Sequence, residues 1–195
     1  MSVIDQMKQR IQNSGRGASK LFRIKSGEKK RFRFLNEADQ GVQIVIHDKF
    51  PEVTTPCAQQ FGKPCPYDKM PYDEIRTRDN YAWSVWDYEA KEVKIWMWKA
   101  NDRTPIPSLI SYYENYGTIL DRDYVLERRG EKFETSYTLV PQDKSRFTGV
   151  KVKPMTAKEI LNTVAQAMNP ELLETDEPEP EDEVEDLFDE DEDDG

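Results

Sequence analysis

The only histidine and both cysteines of this 195-residue chain, His47, Cys57 and Cys65, fall within a stretch of 19 residues, and Asp68 follows three positions later. Zinc takes tetrahedral nitrogen and sulfur ligands and tolerates a carboxylate oxygen, so these four side chains form a chemically admissible set. A structural metal would also explain how the proline-rich segment around them holds a shape without a core of its own. Spacing alone narrowly favours two free thiols beside a surface histidine, because the pair that usually marks a zinc knuckle is here Cys65-Pro-Tyr-Asp68. A Cys57–Cys65 disulfide is the third reading. It is disfavoured in the reducing, cytoplasmic compartment that so few cysteines imply.

A second constellation combines aromatic rings with cations. Residues 1–170 hold 20 of the 21 aromatics. In 92–99, Val93, Ile95 and Met97 alternate with Lys94, Trp96 and Trp98. A strand points successive side chains to opposite faces, so the aliphatic set is expected in the core and the two tryptophans with Lys94 outside. In 80–88, Trp83 and Val85 are expected inward and Trp86 outward. KRFRFL repeats the theme, with Phe32 and Phe34 inward and Arg31 and Arg33 outward. Residues 16–33 hold eight bases, Arg23 and Lys25 among them, against one acid. Lys49, Tyr72, Arg76, Arg78, Tyr81, Lys144 and Arg146 extend the candidate surface. Each residue taken singly fits a core or a solvated face. The combination fits neither, because tryptophan exposed without purpose is an aggregation hazard. Rings that stack bases beside cations that neutralise phosphates form a platform for single strands. No recognition-helix pair, zinc-finger spacing or basic zipper points to a duplex.

These residues must be positioned by a mainly β framework. Residues 3–13 place Ile4, Met7 and Ile11 at helical spacing, and SGRGAS then breaks the pattern, so 1–19 reads as a helix and flexible joint. Residues 21–25, 30–35 and 42–50 alternate with period two and predict a three-strand meander. Residues 51–79 show no sustained periodicity and read as a long irregular insertion. A hairpin is predicted over 80–88 and 92–99, a helix over 105–116 stopped by Gly117, and a second hairpin over 119–128 and 133–141. A last helix over 156–168 begins with a Thr156–Glu159 capping box. Some seven strands and one or two helices suggest a small, partly open barrel spanning 20–155, with the last helix ending near residue 170.

The net charge of −10 hides its distribution. Residues 171–195 carry 16 acids and no Lys or Arg, which leaves residues 1–170 with 22 acids, 28 bases and a net charge of +6. Such an acid run repels itself and is expected to be disordered. It is either a solubilising tail or a polyanion that competes for the basic groove. Leu187 and Phe188 within it suit docking to a partner protein. No apolar run approaches the ~18–20 residues of a membrane helix, and the first 20 residues lack a secretory h-region, so neither is expected.

RFRFL, VIHDKF, TPC…GKPCPYD, NYAWSVWD…VKIW and LDRDYVLERRG…SYTLVP, in that order over roughly residues 20–147, resemble the phage single-stranded DNA-binding, helix-destabilising proteins of the T-even type. The resemblance implies an OB-fold, a five-stranded partly open barrel, with a zinc-bearing subdomain inserted between its strands. The family's zinc ligands, one His and three Cys, would fall on His47, Cys57, Cys65 and Asp68, the last a departure from the pattern. Its tyrosine-rich basic cleft would involve Tyr72, Tyr81, Arg31 and Arg33. It further implies coating of single-stranded DNA in replication, recombination and repair, and recruitment of polymerase or helicase through the acidic tail. The family's basic N-terminal motif for cooperative binding is not evident, which leaves self-association to the N-terminal helix. A nuclease or zinc hydrolase finds no carboxylate cluster, H-E-x-x-H, G-x-S-x-G or Walker loop, so no enzyme is expected. The rival reading is an interaction protein whose tail mimics DNA to recruit or inhibit another factor.

Overall fold

The computed structural model describes residues 20–49, 52–147 and 152–174. The expected helix over 3–13, its joint and most of the acidic tail, Leu187 and Phe188 included, lie outside the described residues. Seven strands form among the described residues: β1 (Lys29–Phe34), β2 (Val42–Lys49), β3 (Val53–Pro56), β4 (Arg76–Asp87), β5 (Glu92–Lys99), β6 (Arg122–Arg129) and β7 (Ser136–Lys144). All pair antiparallel in one open sheet of order β3-β2-β4-β1-β6-β7, with β5 on the other edge of β4. Two helices accompany it among the described residues, α1 (Ile106–Tyr116) and α2 (Ala157–Met168). Neither is long and apolar enough to cross a membrane.

The three-strand meander does not form. β1 and β2 do not pair with each other; both lie antiparallel to β4, with Phe32–Phe34 opposite Val85–Asp87 and Val42–Asp48 opposite Arg76–Ala82. They therefore run end to end in one direction along a single β4 edge, which at twelve residues spans roughly 40 Å. Residues 35–41 interrupt this line without reversing it, because side chains from β4 hold them. Asn36 Oδ1 accepts from the Ser84 amide at 3.1 Å, and Trp83 Nε1 donates to the Glu37 and Ala38 carbonyls, each at 3.2 Å. The chain passes so close to the indole that a Cβ on Gly41 would lie 2.4 Å from the Trp83 ring.

Residues 21–25, expected as the first strand, make only one parallel bridge, Leu21 to Ile95. They form a strap between β5 and β6: the Phe22 amide donates to Ile95 O at 2.8 Å, and Arg128 Nη1 donates to Ile24 O at 3.0 Å. The expected insertion is also shorter than 51–79. Its ends are β3 and the start of β4, so only residues 57–75 remain irregular.

Both faces of the β4–β5 pair are buried, which places Trp83 inward as expected but overturns the assignment of Trp96. On the concave face Phe32, Phe34, Trp83, Val85, Trp96, Tyr124, Leu126 and Leu139 pack with Ile106 and Leu109 of α1. Trp96, expected outside, is fully buried there, its ring edge-on to Phe34 at 5.1 Å. On the opposite face Ile44, Ile46, Ala82 and Ile95 lie under Ile160 and Val164 of α2. Of the aliphatic set, Ile95 takes a core and Met97 packs partly against it, but it is the core beneath α2. Each large side chain so buried contributes about 1.5–3 kcal/mol. The Thr156–Glu159 capping box starts α2 as expected, with the Thr156 amide donating to Glu159 Oε2 at 2.7 Å. Gly117 ends α1 at φ 73°.

Candidate nucleic-acid interface and metal centre

His47 sits in the middle of a three-strand ladder, opposite Thr55 on β3 and Thr77 on β4. Its ring is only 1% exposed, and Nδ1 lies 3.2 Å from Thr77 Oγ1. The tautomer that donates from Nδ1 to this hydroxyl turns the Nε2 lone pair toward the irregular segment. There Nε2 meets Cys65 Sγ at 3.3 Å and Asp68 Oδ1 at 3.4 Å, and Cys57 Sγ lies 3.4 Å from Asp68 Oδ1. All four ligand atoms fall within 4.8 Å of one another. Zinc bond lengths put the edges of such a tetrahedron at about 3.4–3.8 Å, close to these three contacts, so the donor set is one that could hold a metal ion. Without a cation, burial pushes the Cys57 thiol up to about 11. A bound divalent ion would reverse that, since a coordinating thiol is deprotonated outright.

The second feature is a row of half-buried rings at the rim of the concave face. Tyr81 on β4 stands opposite Trp98 on β5, and Trp98 meets Tyr137 of β7 at 4.5 Å between ring centroids, edge to face. The Arg128 guanidinium lies 5.9 Å above the Tyr137 ring. Beside Trp98 and Tyr137 opens a cleft of about 480 Å³, floored by Phe22, Ile95 and Met97 and flanked by Arg23, Lys25 and Arg128. Arg23 and Lys25 are exposed. The strap thus brings cations to a site where two rings already stand.

Only part of the expected surface assembles there. Arg23, Lys25 and Trp98 line the cleft, and Tyr81 extends its ring row. Arg33, expected outward, is 4% exposed, donating to the Leu120 and Ser145 carbonyls and pairing with Asp123. Its charge is spent on buried oxygens, so it offers nothing to a phosphate. Arg31 bonds the same buried Asp123 while its guanidinium stacks over Tyr88 at 4.8 Å, leaving much of the side chain exposed. Lys94 faces inward and is held by Asp87 and Glu92. Trp86 is half-buried against Phe147, away from the cleft.

Arg76 and Arg78 lie on the α2 side of β4 with Lys99, whose pKa is lowered by burial and by these two arginines. Lys49 pairs with Glu52, Lys144 with Asp121, and Arg146 is exposed beyond the end of β7. Tyr72 stands on the irregular segment, 72% exposed. Arg128 and Tyr137 join the site without standing out in the sequence. Their signal was present, since Arg128 is in phase with buried Tyr124 and Leu126, and Tyr137 with buried Leu139.

No family model, characterised protein or solved structure matches the chain.

Proposed function

We propose that the chain is a non-enzymatic protein that binds single-stranded DNA without regard to sequence, on an OB-type barrel. The observation that carries this reading is the Tyr81–Trp98–Tyr137 ring row beside Arg23, Lys25 and Arg128. Bases stack on the rings, and the cations hold the phosphates. Each stacked base is worth about 1–3 kcal/mol with little dependence on its identity. The barrel assignment is supported by β1 and β2 acting as one interrupted strand along β4, and by β5 and β7 converging through Trp98 and Tyr137. His47, Cys57, Cys65 and Asp68 hold one structural zinc ion, which ties residues 57–75 to β2.

The biological role that follows is coating and protecting single strands during phage DNA replication, recombination and repair. The acidic tail occupies the groove in the absence of DNA and, once displaced, recruits polymerase or helicase through Leu187 and Phe188. Tethering raises its local concentration, so even a weak tail competes. Its root is held beside the irregular segment, where Lys63 Nζ donates to the Glu171 and Glu174 carbonyls.

Titration with short oligonucleotides tests the reading. Trp96 is buried, so quenching by single strands should be partial and should largely disappear in Trp98→Phe. Absence of binding to any single strand would sink it. Removal of residues 175–195 should tighten binding at low salt, whereas unchanged affinity would leave the tail only a recruiting role.

A further inference from the structure

Phe133 lies in the turn between β6 and β7 and is 98% exposed, more than any other large hydrophobic side chain among the described residues. The turn that presents it is rigidly built. Gly130 adopts φ 72°, and a Cβ there would meet Glu134 O at 2.3 Å, so only glycine closes this loop. The Glu134 amide returns to Glu131 O at 3.0 Å. The strap is stitched to the same hairpin: Ser26 Oγ donates to Gly130 O at 2.7 Å, and the Gly27 amide to Arg128 O at 2.9 Å. The tip therefore holds a fixed place relative to the cleft, whose Arg128 and Tyr137 form the cross-strand pair nearest it but one. Phe133 and Tyr137 are four positions apart, a reach of at most roughly 14 Å.

We infer that Phe133 is the outer stacking residue of the strand path, receiving a base that has left the cleft past Tyr137. This rests on the single-strand reading above and extends it. A phenyl ring held wholly in water keeps the full hydrophobic penalty of its surface until a flat apolar partner covers it. The charges around it specify what kind of contact that is. The tip carries Lys132 between Glu131 and Glu134 and so offers phosphates little net attraction; Phe133 meets a base face while Arg23, Lys25 and Arg128 hold the backbone nearer the cleft.

The test measures anisotropy of labelled oligothymidylates from about 4 to about 16 nucleotides, the range of OB-fold site sizes, with the full chain, Phe133→Ala and Trp98→Ala. Phe133 buries nothing in the DNA-free protein, so its removal leaves the fold intact. Phe133→Ala should weaken binding of the longer oligomers about tenfold or more and leave the shortest unchanged, whereas Trp98→Ala weakens both. Wild-type affinity of Phe133→Ala for the longest oligomer would overturn the assignment, and equal loss at every length would place Phe133 inside the cleft and overturn it too. A dimer of the DNA-free protein that dissociates on Phe133→Ala, with DNA affinity unchanged, would make it a self-association residue instead. Failure of the wild type to bind any oligomer would overturn the single-strand reading itself.

Discussion

Trp98 and Tyr137 meet ring to ring at 4.5 Å although their strands share no hydrogen bond: β5 pairs with β4 and β7 with β6. The contact spans the gap at which the sheet stays open, and the strap from Leu21 to Lys25 lies against the same gap. The candidate cleft exists because the sheet curls this far and no further. Its lining is set by whichever side chains reach the two converging strands.

Exposed cations of the cleft should act through counterion release. Arg23→Ala is expected to weaken binding to all single strands alike and to reduce the slope of log K against log salt by about one. Titrations at several salt concentrations measure this. Arg33→Lys should leave the slope unchanged, because Arg33 is committed to Asp123 and two carbonyls.

The candidate metal centre predicts a linkage between occupancy and stability. Cys57→Ser or Cys65→Ser should abolish stoichiometric zinc and lower the melting temperature, and a chelator should lower that of the wild type toward the same value. Asp68→Cys should tighten zinc binding by completing a Cys3His set. Metal analysis of protein purified without chelators, followed by thermal melts, checks all three.

Asp123 is buried and accepts from Arg31, Arg33 and the Tyr88 hydroxyl. Asp123→Ala leaves the Arg33 guanidinium buried without its carboxylate and should cost about 3–5 kcal/mol in denaturant unfolding. Arg31→Ala removes the more exposed partner and should cost no more than about 1 kcal/mol.

Acid should destabilise the fold through Asp121. The hydrogen bond from Arg122, assisted by Lys144, holds its carboxyl below the ordinary value of 3.8. A depressed folded-state pKa contributes stability that is present above the unfolded value and lost as pH falls through the folded one. Denaturant midpoints should therefore hold from pH 7 to about 4 and decline below it. Asp121→Asn should flatten that decline.

Gly41→Ala should destabilise by about 1–3 kcal/mol, since the added methyl collides with the Trp83 indole and must displace it from the Glu37 and Ala38 carbonyls. Unfolding midpoints read the loss. Gly27→Ala, where a Cβ meets nothing within 4 Å, should cost only the strain of its φ of 78°.

Much was legible in the chain because it depends on local period and local chemistry. Alternation in 80–88 and 92–99 specifies a hairpin whatever surrounds it, and Thr156 with Glu159 starts a helix by satisfying its own first amides. The clustering of His47, Cys57, Cys65 and Asp68 was equally local, since 22 residues of chain contain all four. Tertiary structure decided everything that turns on which surface faces which. Alternation separates Ile95 from Trp96 but says nothing about which face the sheet curls around, and here both are covered, one by the curled sheet and one by α2. Period two likewise cannot distinguish a strand that turns back from one that runs on. Trp83, Asn36 and the clearance at Gly41 settle that β1 and β2 share one edge of β4. The cleft depends on the same long-range geometry: Tyr137 reaches Trp98 only because β7 converges on β5, a contact between residues 39 positions apart that no local pattern encodes.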